Sequence, residues 1–494
     1  LTIISGFTSL NGGAGIRTLG ALDLTNVNIL SNTANVGAGV WVSGSLTMSA
    51  TQFLSNTASS TVSGAYVLGS ATVLASLFTG NHSNFSDAAL YAKTGVTITS
   101  SQFLTNVGSG VSTDGTATVR DSDFLENSRR GLYANQSITI TNSSFNRNGS
   151  DGAFSNLGGA WVSNSHFLTN TERGLYAGLS VTVTNSSFNN NRSDGLFSTN
   201  GGAQVSSSDF MTNGQRGLFA GLSVVISDSN FINNRGGAGA GIFVNNGGAT
   251  VTASDFISNG IGTGAGVFSK QLAIIRNSRF ISNRSGGSDA GAAIYSDQGA
   301  QISDSYFEDN FGGTGGAVFT QQSANITNTQ FISNSSTLGS SSPGGALFVN
   351  NGSLVVLDSF FSQNRAANDG GALFARQATI TNTDFLSNTS LHNGGAIYSE
   401  GATQIADSLF QNNLAYVNSG SGINVGARFV NGALSTINSD YISNTTLNLG
   451  GAIFAQQGLN VSGGKFMLNR SLTDHAGAVW INGGNPVIDS AQFI

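Results

Sequence analysis

The chain has 494 residues, of which 67 are glycine, two are proline and none is cysteine; 39% are hydrophobic and 9% charged. The apolar share excludes a disordered chain and the missing cysteines exclude a disulfide scaffold. A net charge of −6, with 19 basic residues scattered along the chain, leaves no footprint for a nucleic-acid backbone.

Short runs of single Val, Ile, Leu and Phe interleaved with Gly, Asn, Ser and Thr predict an all-β chain of many brief strands joined by turns. From the N-terminus onward these runs repeat. Phe53 opens the first F-x-x-N tetrapeptide, and further copies follow every 21 to 31 residues as far as Phe466, with Ile29 and Tyr441 replacing the phenylalanine in two of them. In step with it runs G-[GA]-[AG]-[ILV]-[FYW], as in "GGAVF" at 315, "GGALF" at 344 and 370, and "GGAIF" at 450. Between them lies a strand-like stretch such as "ATITNTDF".

A unit this short cannot bury a face alone, so copies must stack, and strand-rich copies stack as parallel strands forming a coil. The expected fold is a parallel β-helix, a β-solenoid of about 20 rungs, over residues 1–494 as a single continuous domain. Within it, residues 130–258 form a near-tandem double repeat of 43 residues, "RGLYAGLSVTVTNSSF" against "RGLFAGLSVVISDSNF". No stretch of 18 apolar residues predicts a transmembrane span. The chain begins at Leu1 and ends directly after another phenylalanine of the pattern, so it reads as part of something longer.

The alternation of GGA-[ILV] with F-x-x-N resembles the repeats of the chlamydial polymorphic outer-membrane proteins. "GGAI" at 394 and 450, "GGAV" at 315 and "GGAL" at 344 and 370 match literally, whereas residues 108–225 keep F-x-x-N but loosen the partner motif to "RGLY" or "DGLF". The resemblance implies the β-helical passenger of an autotransporter, displayed at a bacterial outer surface and used for adhesion. It also implies the hand of the coil, so that the expected fold is a right-handed parallel β-helix.

Stacking turns equivalent positions into columns. Just before the turn glycine stand Arg130, Asp151, Arg173, Asp194 and Arg216, 21 or 22 residues apart, which predicts a ladder of alternating sign. Three residues before the phenylalanine the later rungs read Asn277, Asp304, Asn328, Asp358, Asn382, Asp407 and Asn438. There an amide can donate to both neighbouring carboxylates, a structural ladder at an Asx corner. The F-x-x-N asparagines form another column, expected to cap the following turn through side-chain to backbone bonds.

A further column bears on function. Strand alternation in "GGALFARQ" and "GGAIYSEG" places the aliphatic residues inward and the aromatic residue on the charged side. The pattern predicts an exposed contact stripe of Trp41, Tyr91, Tyr133, Tyr176, Phe219, Phe243, Phe268, Tyr295, Phe319, Phe348, Phe374, Tyr398, Phe454 and Trp480. An open strip of that length implies a partner.

No catalytic, metal-binding or cofactor-binding residues are read. His82, His166, His392 and His475 sit alone, and "NTD" at 382–384 lacks the other elements of a polygalacturonase signature. A polysaccharide-active enzyme needs clustered acids that do not appear. Loop length varies between the F-x-x-N asparagine and the next turn glycine, from four residues after Asn127, Asn148, Asn170, Asn191 and Asn213 to "SSTLGSSSPG" after Asn334, and an insertion at 424–434 makes one rung irregular. Variable loops on a rigid scaffold suit recognition. The expected role is a non-enzymatic extracellular or outer-surface protein binding a host or neighbouring cell surface, through glycan or protein. The alternative is a structural subunit of an extracellular filament or sheath that assembles with copies of itself.

Overall fold

The computed structural model describes the chain except residues 10–11, 85–86, 287–290, 337–341, 417–422, 426–431 and 474–475, with backbone alone for 423–425. His475, most of the long loop after Asn334 and most of the 424–434 insertion therefore lie outside the described residues. The described residues contain no helix long and apolar enough to cross a membrane. The chain divides into two compact units, Leu1–Val224 and Val225–Ile494.

In the first unit each rung carries three strands, and the N-terminal rungs add a fourth, Thr33–Val36, Thr57–Thr61 and His82–Ser83, which pair with one another. A representative rung runs Val40–Val42, Leu46–Ser49 and Gln52–Leu54. Alternation sends Val40, Val42, Leu46, Met48 and Phe53 into the interior, where all are fully buried. Pairing to the next rung is parallel and in register, Val40 to Ala65, Leu46 to Ala71 and Phe53 to Phe78. The phenylalanines consequently pile up, with ring centroids 4.4 Å apart for Phe53 and Phe78 and 4.6 Å for Phe124 and Phe145.

The second unit is built the same way. Leu373–Ala375, Gln377–Thr381 and Asp384–Leu386 form one rung, and a further two-residue strand, Arg365–Ala366, pairs with Thr389–Ser390 in the returning loops. Phe331, Phe361 and Phe385 stand in single file, centroids 4.7 and 5.1 Å apart and planes within 8° of parallel. Each unit is thus a parallel β-solenoid.

Two left-handed corners bracket the phenylalanine strand of each rung. Residues three before and two after the ring have φ near +50°, as at Ala50 and Ser55 (48° and 53°) or Asn382 and Ser387 (48° and 56°). Asn and Asp tolerate this conformation best among residues with a side chain, which accounts for the Asn/Asp column there. Its side chains are exposed, and the amides of Asn328 and Asn382 donate to Asp304 and Asp358 of the preceding rung at 2.8 and 2.6 Å. Asn438 reaches Asp407 at 3.4 Å.

The F-x-x-N asparagine does something different from turn capping. It points inward and is fully buried, as at Asn81 and Asn388. The Asn81 amide donates to the Phe53 carbonyl of the preceding rung at 2.9 Å and to Asn106 Oδ1 of the next at 3.0 Å. Asn56 donates to the Asn81 oxygen from both its backbone N–H and its side chain, at 3.1 and 3.0 Å. Each amide therefore joins three rungs with its donors and acceptor used. A parallel serine column lines the preceding corner: Ser101 Oγ accepts from the Ser76 N–H at 3.1 Å and donates to the Thr99 carbonyl at 2.8 Å. These networks satisfy backbone groups that the corners take out of the sheet ladders.

The turn glycines are required by space as well as by φ. Gly370 sits at φ +70°, and a β-carbon on Gly371 would overlap the Gly395 carbonyl of the next rung. Successive G-G turns therefore nest backbone on backbone.

Candidate functional site: an outward aromatic column

The middle residue of each rung's first strand faces away from the core, because its neighbours on both sides point in. In Leu132–Ala134 the flanking Leu132 and Ala134 are fully buried while Tyr133 is half-exposed. Parallel register stacks these outward residues just as it stacks the inward ones.

In the first unit Trp41, Tyr66 and Tyr91 stack with centroids 6.4 and 5.1 Å apart. Ser112 interrupts the file, since it pairs with Tyr91 on one side and Tyr133 on the other. The column then resumes through Tyr133, Phe154, Tyr176, Phe197 and Phe219 at 4.2 to 5.7 Å. All these rings are half-exposed. Tyr66, Phe154 and Phe197 were not among the sequence candidates, although their motifs, "SGAYV", "DGAFS" and "DGLFS", set the ring two residues after the turn glycine as "RGLYA" does.

In the second unit Phe243, Phe268, Tyr295, Phe319, Phe348, Phe374 and Tyr398 form a similar file at 4.7 to 5.4 Å. Asn424 follows Tyr398 in register, then Phe454 and Trp480. Here the expected exposure is corrected. Phe268, Phe319, Phe348, Phe374, Tyr398 and Phe454 are only 5 to 9% exposed. Residues of the longer loops stand beside the buried rings: Pro343, Asn368 and Asp369 line one cleft with Phe348, Phe374 and Tyr398. Outward direction is set by strand alternation, but exposure is set by the loop. Phe243, Tyr295 and Trp480 remain half-exposed. Burial, reinforced by the Asp297 carboxylate, pushes the Tyr295 phenol up to about 12.

The alternating charge column flanks the short-loop part of the first unit. Arg130 Nε and Arg173 Nε lie 3.1 and 2.7 Å from the two oxygens of Asp151, and Arg216 lies 3.7 Å from Asp194. Both acids are buried, while the arginine side chains keep 22 to 29% exposure. The guanidiniums rest against the aromatic file, 4.3 Å from the Phe154 centroid for Arg130, 4.7 Å from Tyr176 for Arg173 and 5.1 Å from Phe219 for Arg216. Ion-pair ladder and aromatic column are therefore one surface. Desolvation raises the Asp194 carboxyl above its ordinary range, opposed by Arg216 and Arg173.

Among the described residues no group of three potential metal ligands exists. A 270 Å³ cleft is lined by Asp358 and Asp384 with Asn328 and Asn382; Asp384 is raised by burial. A 360 Å³ cleft over the second unit's column is lined by Phe348, Phe374, Tyr398, Asp369 and Glu400. Of the described histidines, His82 bonds Asn84 and His166 bonds Ser187.

Comparison with known proteins agrees with this geometry. The right-handed β-helix family model matches residues 84–235, and the Chlamydia polymorphic membrane protein repeat matches residues 358–376 and 382–400. Those two segments are repeats of the polymorphic membrane protein type. A probable autotransporter of Escherichia coli strain K12, YfaL, is 31% identical over 170 residues, covering 28% of this chain and 14% of the relative. No solved structure matches. The chain is a parallel β-helix with repeats like those of the polymorphic membrane proteins and a stretch similar to a probable autotransporter, and it spans a small fraction of that relative's length.

Proposed function

We propose that this β-helix is displayed at a bacterial outer surface and acts as a non-enzymatic adhesin, its contact face being the half-exposed aromatic file of the first unit. The observation that carries the reading is the run Tyr133, Phe154, Tyr176, Phe197, Phe219, stacked at 4.2 to 5.7 Å and left open by four-residue loops. A continuous row of rings half in water invites a partner. Similarity to surface repeats and to a probable autotransporter supports the location.

The non-enzymatic part rests on chemistry. The Asn/Asp ladder holds Asp358 against Asn382 at 2.6 Å, a structural use of one carboxylate oxygen. The test is retention of the fluorescently labelled protein on epithelial cells and on bacteria, with Tyr176→Ser and Phe197→Ser as the variant. Loss of retention with unchanged circular dichroism supports the reading, and unchanged retention sinks it. Sugar release from a polysaccharide panel in the same preparation would overturn the non-enzymatic claim.

A further inference from the structure

The sequence shows an evenly alternating charge ladder, but burial hides its acids and leaves its arginines at the surface. Asp151 and Asp194 have side chains only 0 and 4% exposed, whereas Arg130, Arg173 and Arg216 keep 29, 22 and 25%. What faces water is therefore a cation on every second rung, each laid against the aromatic file. The 43-residue double repeat fixes that interval at two rungs, about 9.6 Å at the usual strand spacing. Two sugar rings of an extended pyranose chain advance by about the same length.

We infer that the stretch of the first unit from Tyr133 to Phe219 binds a linear acidic polysaccharide carrying one carboxylate per disaccharide, each carboxylate meeting one of Arg130, Arg173 and Arg216. This deepens the adhesive reading proposed above and rests on it. The aromatic file supplies an apolar floor for the sugar rings, and the arginines supply charge-assisted donors at the matching interval. An extended acidic peptide fits less well: residues on one face of a strand recur about every 6.6 Å, and strand recognition needs pockets for successive side chains where this surface is a uniform ribbon. Exposed Arg129 and Arg192 in the same loops add positive charge, and Glu172, the exposed acid among them, lies 3.7 Å from Arg173 and offsets part of it.

The probe is hyaluronan, which carries one carboxylate per disaccharide, offered as di-, tetra-, hexa- and octasaccharides to the purified chain in calorimetry. Three arginines predict affinity that rises to the hexasaccharide and then levels off, weakening as salt is added. Neutral chitohexaose and polyglutamate should each bind at least about tenfold more weakly. Equal binding of the neutral sugar, tighter binding of polyglutamate, or no hyaluronan binding overturns the inference, and none of these needs a variant to fold. The variant R130Q/R173Q/R216Q, combined with D151N/D194N so that no buried acid is left unpaired, should lose at least about tenfold in affinity. Unchanged affinity in a folded variant also overturns it. If cell retention is abolished by ring substitutions but indifferent to excess hyaluronan hexasaccharide, the inference fails while the adhesive reading stands.

Discussion

Replacing Asn388 by alanine removes one member of the interior amide ladder, and the consequences can be counted. The side chain is fully buried. It donates to the Phe361 carbonyl at 2.9 Å and to Asn413 Oδ1 at 3.0 Å, and its oxygen accepts from the Asn364 backbone N–H and side chain at 3.0 and 2.9 Å. The Asn388 backbone N–H still reaches Asn413 at 2.9 Å in the variant. Left without a partner are the Asn364 backbone N–H and one of its two amide hydrogens, the other keeping the Phe331 carbonyl at 2.9 Å. At about 1–3 kcal/mol for each buried unsatisfied group, and allowing for relaxation, the loss should be about 2–5 kcal/mol. Because repeat arrays do not unfold in one step, the assay is hydrogen exchange by mass spectrometry, with faster opening confined to the rungs of Phe361, Phe385 and Phe410. Asn382→Gly is the control, since its amide bonds only an exposed carboxylate and glycine keeps the left-handed corner; it should stay within about 0.5 kcal/mol. Equal protection in the two variants would refute the claim that the inward amides hold successive rungs together.

Tyr441 stands in the phenylalanine column with its hydroxyl 2.9 Å from Thr436 Oγ1, which itself occupies a position paired with Ile405. Tyr441→Phe alone should cost about 1–2 kcal/mol by stranding the threonine, and Tyr441→Phe with Thr436→Val should recover most of it in a double-mutant cycle measured by urea titration. Asp194 has a raised carboxyl, so the folded state holds its proton to higher pH than the unfolded chain does. Its contribution to stability is present below about pH 4 and is lost as pH rises through the raised value. Asp194→Asn should flatten that segment of the melting temperature profile, and a profile that keeps its slope would count against it. Gly371→Ala should destabilise the second unit by several degrees in differential scanning calorimetry, because a β-carbon there overlaps the Gly395 carbonyl; an unchanged transition would contradict the nested-turn geometry.

The repeat was legible because a solenoid writes its architecture locally. Phe331, Phe361 and Phe385 recur at rung intervals, and recurrence of a buried ring is enough to require stacking once each unit is too short to fold alone. Strand alternation likewise determined that Tyr133, Phe374 and their counterparts face outward, since the period of two needs no tertiary information. Phe154 and Phe197 were equally legible, since "DGAF" and "DGLF" set the ring two residues after the turn glycine as "RGLY" does at Tyr133, although they were not among the sequence candidates.

Three features were decided by the third dimension. The F-x-x-N asparagine turned inward because the left-handed residue before it reverses the chain, a conformation that no residue type at that position announces: Ser55, Arg147, Asn190 and Gln363 all adopt it. Loop path, rather than strand pattern, separated half-exposed Tyr176 from Phe374 at 8%. Sequence alone could place Arg130, Asp151 and Arg173 in one column and predict their alternation; only the packed rungs buried the carboxylate and left the guanidiniums against the rings, because solvation depends on what covers a charge and not on its spacing along the chain.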